Sequence, residues 1–403
     1  MTASTSTTFR FANSVESVRE LAKKRLPKGL FEFVDRGSDD ELAIVNNRTA
    51  FDRVKFRPRT LVDVSGRSAE TRVLGDSIGM PLAVAPTGAA GLVWYKGEMA
   101  LARAAAAAKV PFTLATRSMS AMEDIASQAG GVLWLQLYTQ RNRQDCYDVI
   151  ERAKKAKFQG LVLTVDTPTN PSRDYNDRNG YSLPFKYTAR GITDILRHPR
   201  WFAGVIGQYY WRDRSLPRFE NLPGRRTINE GISPTQMLSD DLTWRDVEEY
   251  RRRWPGKLIV KGILHPEDAL QAARLGADAV VVSNHGGRNL DGSMAPLDAL
   301  PDVVDAVGNR AEVFMDGGIR RGADIAKAVA LGAKLVLIGR PTLYGTAVAG
   351  EMGATHVLAN LKKELLYTLA TLGVPRISEL SRDIIHAPHL ASRASHVMKI
   401  AAE

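Results

Sequence analysis

The decapeptide AVVVSNHGGR, residues 279–288, carries the strongest signal for both the fold and the chemistry of this chain. Its first four residues form a short β-branched run, which is typical of a buried strand. Two glycines in the following polar turn allow a sharp bend or a close approach to a ligand. His285 exchanges a proton near neutral pH, and Arg288 carries a permanent fork for a carboxylate or phosphate. A polar loop with a hydrogen-bonded histidine is the simpler interpretation, and the remaining strands of the chain disfavour it.

Seven further apolar runs occur along the chain, and each of the eight runs precedes a helical pattern. The predicted strands are residues 81–86, 112–116, 132–138, 161–166, 258–261, 279–282, 313–316 and 335–339. The predicted helices are 97–109, one from 120, 143–157, 243–253, one from 265, 296–307, 322–331 and one from 343. Apolar strands that alternate with amphipathic helices indicate a parallel sheet covered by helices. Eight such units predict a closed (β/α)8 TIM barrel of the α/β class, with a doubly wound open sheet as the alternative.

The rest of the chain fits around one such barrel. Residues 14–50 carry apolar side chains at helical spacing and predict an N-terminal helical cap, expected to extend over residues 9–60. We expect the barrel to occupy residues 78–380, with residues 169–240 as a long loop insertion after the fourth strand. Residues 1–403 are therefore expected to form a single domain.

Composition and charge limit the location and the partners of the protein. Its one cysteine, Cys146, fits a reducing compartment, and the first residues lack the apolar run of a secretory signal. No stretch reaches the roughly 18 apolar residues that a membrane span requires. We therefore expect a cytoplasmic protein. The net charge of +11 suggests an anionic partner, but no nucleic-acid module is recognisable, and we expect neither a nucleic-acid partner nor a metal site.

Polar residues stand at the carboxyl ends of the predicted strands, where the active sites of TIM barrels lie. They are Thr87, Gly88, Thr116, Gln136, Tyr138, Thr164, Asp166, Lys261, Ser283, His285, Asp316, Gly339 and Arg340. The alternative is that polar residues occur there simply because strand ends meet solvent. This accounts well for the presence of Thr87 or Thr116. It explains Lys261, Asp166 and Gln136 poorly, because these directly end runs of buried residues. The pattern favours an active site, in which Lys261 and Gln136 could face the polar edge of a cofactor ring.

Two glycine-containing loops follow the seventh and eighth strands, and barrels often bind phosphate there. The loops are DGGIRRG, residues 316–322, and Gly339-Arg340. Glycines expose backbone N–H groups to an anion, and arginine adds a charge-assisted fork. The sequence therefore predicts a phosphorylated ligand on this side, although the start of a solvated helix explains Arg321 better.

Together these motifs strongly resemble the FMN-dependent L-2-hydroxy acid oxidase and dehydrogenase family. The resemblance covers almost the whole chain and includes PTG (86–88), WLQLY (134–138), LTVDTP (163–168), KG (261–262), SNHGGR (283–288), DGGIRRG (316–322) and GRPTLYG (339–345). It implies an FMN enzyme that oxidises an (S)-2-hydroxy acid, such as lactate or mandelate, to the 2-oxo acid. Members of the family are commonly tetramers, so a homotetramer is also expected.

The resemblance implies a role for each residue that matches a family motif. His285 would take a proton from the substrate, and Asp166 would orient its imidazole. Arg288 and Arg173 would grip the substrate carboxylate, and Tyr138 would hydrogen-bond the substrate oxygen. The flavin would be held by Pro86, Thr87, Gly88, Gln136, Thr164, Lys261, Ser283, Asp316, Gly318, Arg320, Gly339 and Arg340.

Two positions, Phe33 and Arg117, depart from the pattern of the family. A third, Gly88, is a position at which members of the family differ from one another. A tyrosine that donates to the substrate carboxylate is replaced by Phe33, which should weaken carboxylate binding by roughly 1.5–3 kcal/mol. Glycolate oxidase has a tryptophan near the position of Arg117. In this chain, Arg117 either replaces the lost contact with the substrate carboxylate or binds a second acidic group of the substrate. The alternative is that it points to solvent at the barrel rim. Oxidases tend to carry alanine at Gly88, whereas mandelate dehydrogenase carries glycine. We therefore predict a dehydrogenase that passes electrons to a quinone or another acceptor.

The insertion is rich in basic and aromatic side chains. Residues 172–226 contain ten aromatics, and residues 173–226 contain eleven Arg or Lys against five Asp or Glu. This composition suits an interfacial membrane segment, which would place the enzyme on the inner face of the cell membrane. A lid that packs on the barrel and binds a neighbouring subunit is the alternative, and Arg173 requires part of the segment to cover the site in either case.

Other functions compete with this interpretation. A barrel isomerase or dehydrogenase that acts on phosphorylated substrates without flavin would have no use for Tyr138 together with Arg288. A non-catalytic flavin- or anion-binding scaffold is disfavoured by the intact pair of His285 and Asp166. An oxidase of the same family would instead form hydrogen peroxide, and the same chemistry could act on an atypical substrate such as a modified peptide.

Overall fold

The computed structural model describes residue 9 and residues 12–181, 184, 188–233 and 238–391. Within these residues the strands are β1 Lys55–Phe56, β2 Thr71–Val73, β3 Asp76–Ile78, β4 Leu82–Val84, β5 Phe112–Ala115, β6 Leu133–Tyr138, β7 Gly160–Thr164, β8 Lys257–Ile263, β9 Ala279–Val282, β10 Glu312–Asp316, β11 Leu335–Ile338 and β12 Ile385–His386. Strands β4 to β11 pair in parallel in chain order, and β11 pairs with β4. The predicted closed eight-stranded barrel is therefore confirmed.

Helices surround the barrel and extend its amino-terminal side. The longer ones are α1 Val15–Arg25, α2 Lys28–Asp35, α3 Leu42–Arg53, α4 Gly97–Ala107, α5 Met122–Gln128, α6 Arg143–Lys155, α7 Asp174–Asn179, α8 Ala189–Leu196, α9 Pro199–Gly204, α10 Trp244–Arg253, α11 Pro266–Arg274, α12 Pro296–Val307, α13 Gly322–Ala330 and α14 Arg340–Leu372, and two single turns, Ile206–Gln208 and Pro388–Ala391, are also α-helical. The last of these is interrupted by non-helical backbone at Ala349 and Gly350. Helices α7 to α9 lie in the insertion, which the sequence indicated only as irregular.

The barrel strands are buried on both faces, which explains their nearly continuous apolar sequences. Side chains from β4 and from β6 to β11 fill the barrel interior, and the rings of Trp134 and Phe314 stack there with centroids 6.1 Å apart. Gly160 makes room for this layer, since a Cβ there would lie 2.6 Å from Trp134 Cδ1. The interior is thus a packed core, and open space remains only toward the carboxyl ends of the strands.

Some observed strand and helix boundaries agree with those predicted from the sequence. Strand β9 and helix α12 have the predicted bounds, whereas β8 runs two residues beyond the predicted 258–261. A register shift between Lys261 and Ile263 lengthens β8, and Gly262 adopts a φ of +110° at that point. This irregularity sits directly beside Lys261, a predicted site residue.

Helices α1, α2 and α3 form a cap that is tied to the barrel at several points. Asp35 accepts from Arg19 Nη2 at 2.6 Å and from Tyr344 Oη at 2.6 Å, which links α1, α2 and α14. Strand β1 pairs antiparallel with β12, so the segment after the cap is joined to the segment after α14. The pairing gives a structural role to residues after Ser381, for which the sequence offered no functional interpretation. These contacts hold the backbone of Val34 near the carboxyl end of the barrel.

Candidate active site

A cavity of about 590 Å³ opens at the carboxyl ends of the barrel strands, a region called the mouth below. Seventeen of the predicted site residues line it: Phe33, Pro86, Thr87, Gly88, Arg117, Gln136, Tyr138, Thr164, Arg173, Lys261, His285, Arg288, Asp316, Gly318, Arg320, Gly339 and Arg340. Asp166 and Ser283 stand one layer behind the wall, in contact with His285 and Lys261. The structure therefore brings the predicted residues together, although they come from all parts of the chain.

The loop after β9 has an unusual backbone that presents His285. Residues His285, Gly286 and Gly287 adopt φ values of +58°, +66° and +73° in succession. A non-glycine residue costs about 1 kcal/mol or more in this region, so the conformation persists only because its surroundings hold it. The hydroxyl of Ser283 accepts from the His285 N–H at 3.0 Å, and a Cβ on Gly287 would lie 2.7 Å from the backbone nitrogen of Ile44. Glycine is thus required at 287 for the loop to pack under the cap.

His285 bridges a carboxylate and a phenol. Its Nδ1 lies 2.9 Å from Asp166 Oδ1, and its Nε2 lies 3.2 Å from Tyr138 Oη, which faces the cavity. Burial raises the pKa of the Asp166 carboxyl, but the attraction and hydrogen bond of His285 and the charge of Lys261 outweigh it, so this pKa lies below its usual value. Asp166 therefore stays anionic and stabilises a protonated imidazole, which is the arrangement of a general base.

Two guanidinium groups lie side by side next to this base. Arg288 Nη1 donates to the carbonyl of Arg36 at 2.7 Å, and Arg173 Nη2 donates to the carbonyl of Arg288 at 3.0 Å. Burial and the neighbouring Arg173 lower the pKa of Arg288 to about 10. Neither guanidinium has a carboxylate partner among the described residues. A pair of like charges held in this way attracts an anion, and the planar forks suit a carboxylate.

Lys261, near the end of β8 and so between the strands that precede Arg173 and Arg288, is buried beside two acceptors. Its Nζ lies 2.8 Å from Asp316 Oδ2 and donates to Ser283 Oγ at 2.9 Å. Burial would lower the pKa of Lys261, but the carboxylates of Asp316 and Asp166 raise it above its usual value, so the ammonium stays charged. The second carboxylate oxygen of Asp316 is buried without a hydrogen-bond partner among the described residues. Asp316 therefore carries an unused hydrogen-bond acceptor and lines the cavity.

The loops after β10 and β11 bring the backbone of Gly318 and the side chain of Arg340 to the same cavity. Gly318 has a φ of +80°, and a Cβ there would lie 2.2 Å from the carbonyl oxygen of Asn47, so only glycine fits under the cap. Arg340 Nη1 donates to the Gly286 carbonyl at 2.8 Å, which joins this side of the mouth to the His285 loop. Helix α14 starts at Arg340, so its free N–H groups and positive end face the cavity.

The two departures from the family pattern, Phe33 and Arg117, also lie at the cavity, as does Gly88, at which the family varies. Phe33 packs under Arg288, whose Cζ is 5.4 Å from the ring centroid. Arg117 lines the cavity, and its Cζ lies 5.5 Å from the centroid of Tyr138, so the alternative that it points to solvent is wrong. A Cβ on Gly88 would meet nothing closer than 3.7 Å. The residues at 33 and 117 therefore line the same cavity as the positions predicted to hold the flavin.

Several residues of the site were not assigned a role from the sequence. Thr167 Oγ1 donates to Asp166 Oδ1 at 3.1 Å, and Asn289 Nδ2 donates to the Asp166 carbonyl at 2.7 Å. Thr167 lies within the recognised motif LTVDTP and Asn289 directly follows SNHGGR, and this proximity is the signal that could have identified them. The insertion contributes Tyr181, Phe219 and Leu238 to the cavity wall, for which no sequence motif exists.

A buried base with its carboxylate, a guanidinium pair and a helix N-terminus within one cavity define a barrel enzyme that accepts an anionic substrate beside a phosphorylated cofactor. The chain belongs to the FMN-dependent dehydrogenase family, whose model matches residues 22–387. It is accordingly an FMN-dependent oxidoreductase.

Relatives and solved structures agree with this assignment. The chain is 39% identical over 395 residues to (S)-mandelate dehydrogenase of Pseudomonas putida, covering 95% of this chain and 98% of the relative. It is 39% identical over 371 residues to L-lactate oxidase of a Nostoc species, covering 91% and 96%. Its structure matches that of the monotopic membrane protein (S)-mandelate dehydrogenase with a TM-score of 0.87 and 39% identity, over 93% of this chain and 99% of that one. A mandelate oxidase crystallised with (S)-2-phenylpropionate matches with a TM-score of 0.77 and 34% identity, covering 93% and 97%.

The cavity fits FMN by its size and by its donors. Its volume lies within the roughly 300–1,000 Å³ of small-molecule and cofactor sites. The unused oxygen of Asp316 suits a hydroxyl donor of the ribityl chain, and the start of α14 with Arg340 suits the phosphate. Lys261 offers the one buried ammonium among the described residues that line the cavity.

Proposed function

We propose that the protein oxidises an (S)-2-hydroxy acid to the 2-oxo acid and passes the electrons to a quinone or another acceptor. The observation that carries the proposal is the hydrogen-bond contact between His285 Nε2 and Tyr138 Oη, at 3.2 Å, in the same cavity as the paired guanidiniums of Arg288 and Arg173. A 2-hydroxy acid has a carboxylate one bond from the carbon that bears its hydroxyl, so it can reach both groups at once. The names of the relatives, mandelate dehydrogenase and L-lactate oxidase, support this class of substrate.

Each residue of the site has a distinct part in the proposed reaction. Arg288 and Arg173 hold the substrate carboxylate and thereby fix the orientation of the α-carbon. His285 accepts the proton from the hydroxy-bearing end, and Asp166 stabilises the resulting imidazolium. Tyr138 hydrogen-bonds the substrate oxygen. FMN, when bound, accepts the two electrons of the oxidation.

The same proposal gives the cofactor-facing residues their roles. Lys261 supplies a fixed positive charge for the polar edge of the flavin ring, where a fixed cation favours reduction. Gln136 donates to Thr164 Oγ1 at 3.1 Å, and we assign both to the same edge. The hydroxyl of Ser283 is already engaged by Lys261 and the His285 N–H, so its expected contact with the flavin stays a prediction.

Anaerobic titration of the purified holoenzyme with hydroxy acids tests the proposal. We expect the (S)-enantiomer of lactate, mandelate or another member of a panel to bleach the visible absorption band of the flavin, because only one enantiomer places its α-hydrogen toward the flavin while its carboxylate occupies the Arg288 fork. The (R)-enantiomers serve as matched controls. Bound FMN that no 2-hydroxy acid bleaches would contradict the proposal and favour a non-catalytic scaffold.

The same titration repeated in air separates a dehydrogenase from an oxidase. Gly88 has no side chain toward the flavin side of the cavity, and the resemblance associates glycine at this position with slow reaction with oxygen. We expect hydrogen peroxide to form much more slowly than a soluble quinone analogue is reduced. Peroxide formation as fast as quinone reduction would overturn the choice of acceptor and leave the hydroxy acid chemistry intact.

We also propose that the insertion contacts a membrane surface. Five large apolar side chains of residues 189–214 are exposed, and five exposed arginines occur in the same segment; we call these ten the insertion patch. It consists of Ile192, Leu196, Phe202, Tyr210, Trp211, Arg190, Arg197, Arg200, Arg212 and Arg214. Exposed apolar groups beside basic ones suit an anionic lipid surface. Within the described ranges, no helix has the length and apolarity needed to cross a bilayer. A matching solved structure is titled a monotopic membrane protein, which supports a peripheral contact.

Flotation with anionic liposomes tests the insertion patch. A triple variant, Leu196→Ser, Phe202→Ser and Trp211→Ser, is expected to reduce the liposome-bound fraction at least tenfold, because each side chain that enters the interface contributes roughly 1.5 kcal/mol or more. Leu290→Ser with Tyr367→Ser is a matched control, since these side chains are equally exposed elsewhere on the surface. Equal flotation of the triple variant and the wild type would rule out the proposed surface. The cytoplasmic location and the homotetramer stay predictions.

A further inference from the structure

Arg117 is the one guanidinium among the described cavity-lining residues that has no acceptor. Arg173, Arg288, Arg320 and Arg340 each donate to at least one backbone carbonyl. Arg117 has neither a hydrogen bond nor an ion pair with any described residue, although it is largely shielded from solvent at the cavity wall. A charge that is shielded from solvent and has no partner destabilises the folded protein. The position of Arg117 therefore favours a ligand with a negative charge that pairs with the guanidinium.

The order of the barrel strands places Arg117 away from the Arg288 and Arg173 pair. Arg117 follows β5, Tyr138 ends β6, and Arg173 follows β7, so Tyr138 stands between two separate positive charges. The electrostatics agree: burial raises the pKa of Tyr138, while Arg117 and Arg173 both act to lower it. Arg117 lies over the face of the Tyr138 ring, whereas the hydroxyl of that ring points to His285.

This placement separates two functions within one cavity. In the proposed reaction, the substrate carboxylate lies at Arg288 and Arg173, and the reacting carbon lies at His285 and Tyr138. The substituent on that carbon then extends along Tyr138 toward Arg117. Gly88 adds no side chain beside Arg117, whose own Cβ would be in van der Waals contact, at 3.7 Å, with a Cβ at position 88.

We propose that Arg117 binds a second carboxylate, at the far end of the substrate, so that the preferred substrates are short (S)-2-hydroxydicarboxylic acids. The inference rests on the proposed oxidation of 2-hydroxy acids and narrows its substrate class. The second carboxylate receives a charge-assisted fork from Arg117. A neutral substituent leaves the guanidinium without a partner and is disfavoured for that reason.

Two substrates of matched shape test the inference. (S)-Malate and (S)-2-hydroxy-4-methylpentanoate have the same number and branching of heavy atoms, but the first ends in a carboxylate and the second in two methyl groups. We expect the wild type to prefer malate in kcat/KM by roughly ten- to a hundredfold, the effect of a hydrogen bond to a charged group. In Arg117→Met this ratio is expected to fall to about one or to reverse. Arg117→Lys, which keeps the charge and loses the fork, should retain part of the preference.

An equilibrium measurement gives a readout that does not depend on turnover. Succinate and 4-methylpentanoate have the same matched shapes without the hydroxyl, and calorimetry on the holoenzyme compares their Kd values. The wild type is expected to bind succinate more tightly, and Arg117→Met is expected to remove the difference. Arg141→Met, a change at an exposed arginine outside the cavity, should keep the wild-type ratios.

The possible outcomes distinguish this inference from the proposed function. If neither acid bleaches the flavin and no other 2-hydroxy acid does, the proposed function fails. If the neutral acid bleaches it and malate is not preferred, only the role of Arg117 fails. An equal loss of kcat/KM for both acids in Arg117→Met also overturns the inference, because it would place Arg117 on the carboxylate that every substrate shares. Unchanged thermal unfolding of the variant confirms that the comparison concerns binding.

Discussion

Replacing His285 with glutamine is expected to lower the rate of flavin reduction by a 2-hydroxy acid by roughly 10²- to 10⁴-fold, the range that a positioned general base contributes. Glutamine retains a polar group of similar length but cannot accept the proton. The measurement is rapid mixing of the holoenzyme with saturating substrate under anaerobic conditions. FMN content should be preserved, because the glycines at 286 and 287 and the Ser283 contact that shape the loop are unchanged.

A second histidine provides the control for this prediction. His386 is exposed in β12, distant in the chain from the mouth, and His386→Gln should leave flavin reduction at the wild-type rate. If His285→Gln reduced the flavin as fast as the wild type, the proton acceptor would have to be another group. The hydrogen-bond contact of His285 with Asp166 would then serve structure alone.

Replacing Arg288 with methionine is expected to lower kcat/KM by roughly 30- to 5,000-fold. The estimate corresponds to about 2–5 kcal/mol for truncating one member of a buried, hydrogen-bonded charge pair, here the pair formed with the substrate carboxylate. The kcat/KM of Arg288→Lys should lie between those of the wild type and Arg288→Met, because an ammonium keeps the charge but cannot offer the planar fork. Steady-state kinetics with both variants measures the effect.

The interpretation of this variant requires a control for stability. Arg288 also donates to the carbonyl of Arg36, so its loss loosens the cap as well as the substrate site. Arg382→Met, which removes a surface guanidinium paired with Asp305, should leave kcat/KM unchanged. A methionine variant that keeps wild-type kcat/KM would exclude Arg288 from carboxylate binding.

The barrel and most of the mouth could be predicted from the sequence because their physical causes are local. Each barrel strand is a short run buried on both faces, and the residue that ends it necessarily reaches the mouth. Asp166 and His285 are 119 residues apart, yet both follow parallel strands and so meet at one end of the barrel. The glycines of the loops could be identified for the same reason, since their positive φ values are properties of single residues.

Contacts made through backbone or through side-chain orientation could not be predicted. The carbonyls of Val34 and Arg36 accept from Arg340 and Arg288, and no residue type marks a carbonyl for such a role. The side-chain direction of Arg117 depends on its rotamer, so the sequence left its position open. The two-residue strands β1 and β12 are too short to produce a periodic pattern.

The joining of cap, α14 and β12 has a consequence for biosynthesis. Helix α1 is synthesised before α14, against which it packs, and β1 before β12, so these contacts form only when the later elements have left the ribosome. Val15, Val18 and Ala22, which are buried in the finished protein, are less protected meanwhile and offer a binding segment to chaperones. The mouth, which needs the cap carbonyls, is thus assembled only after α14 and β12 have been synthesised.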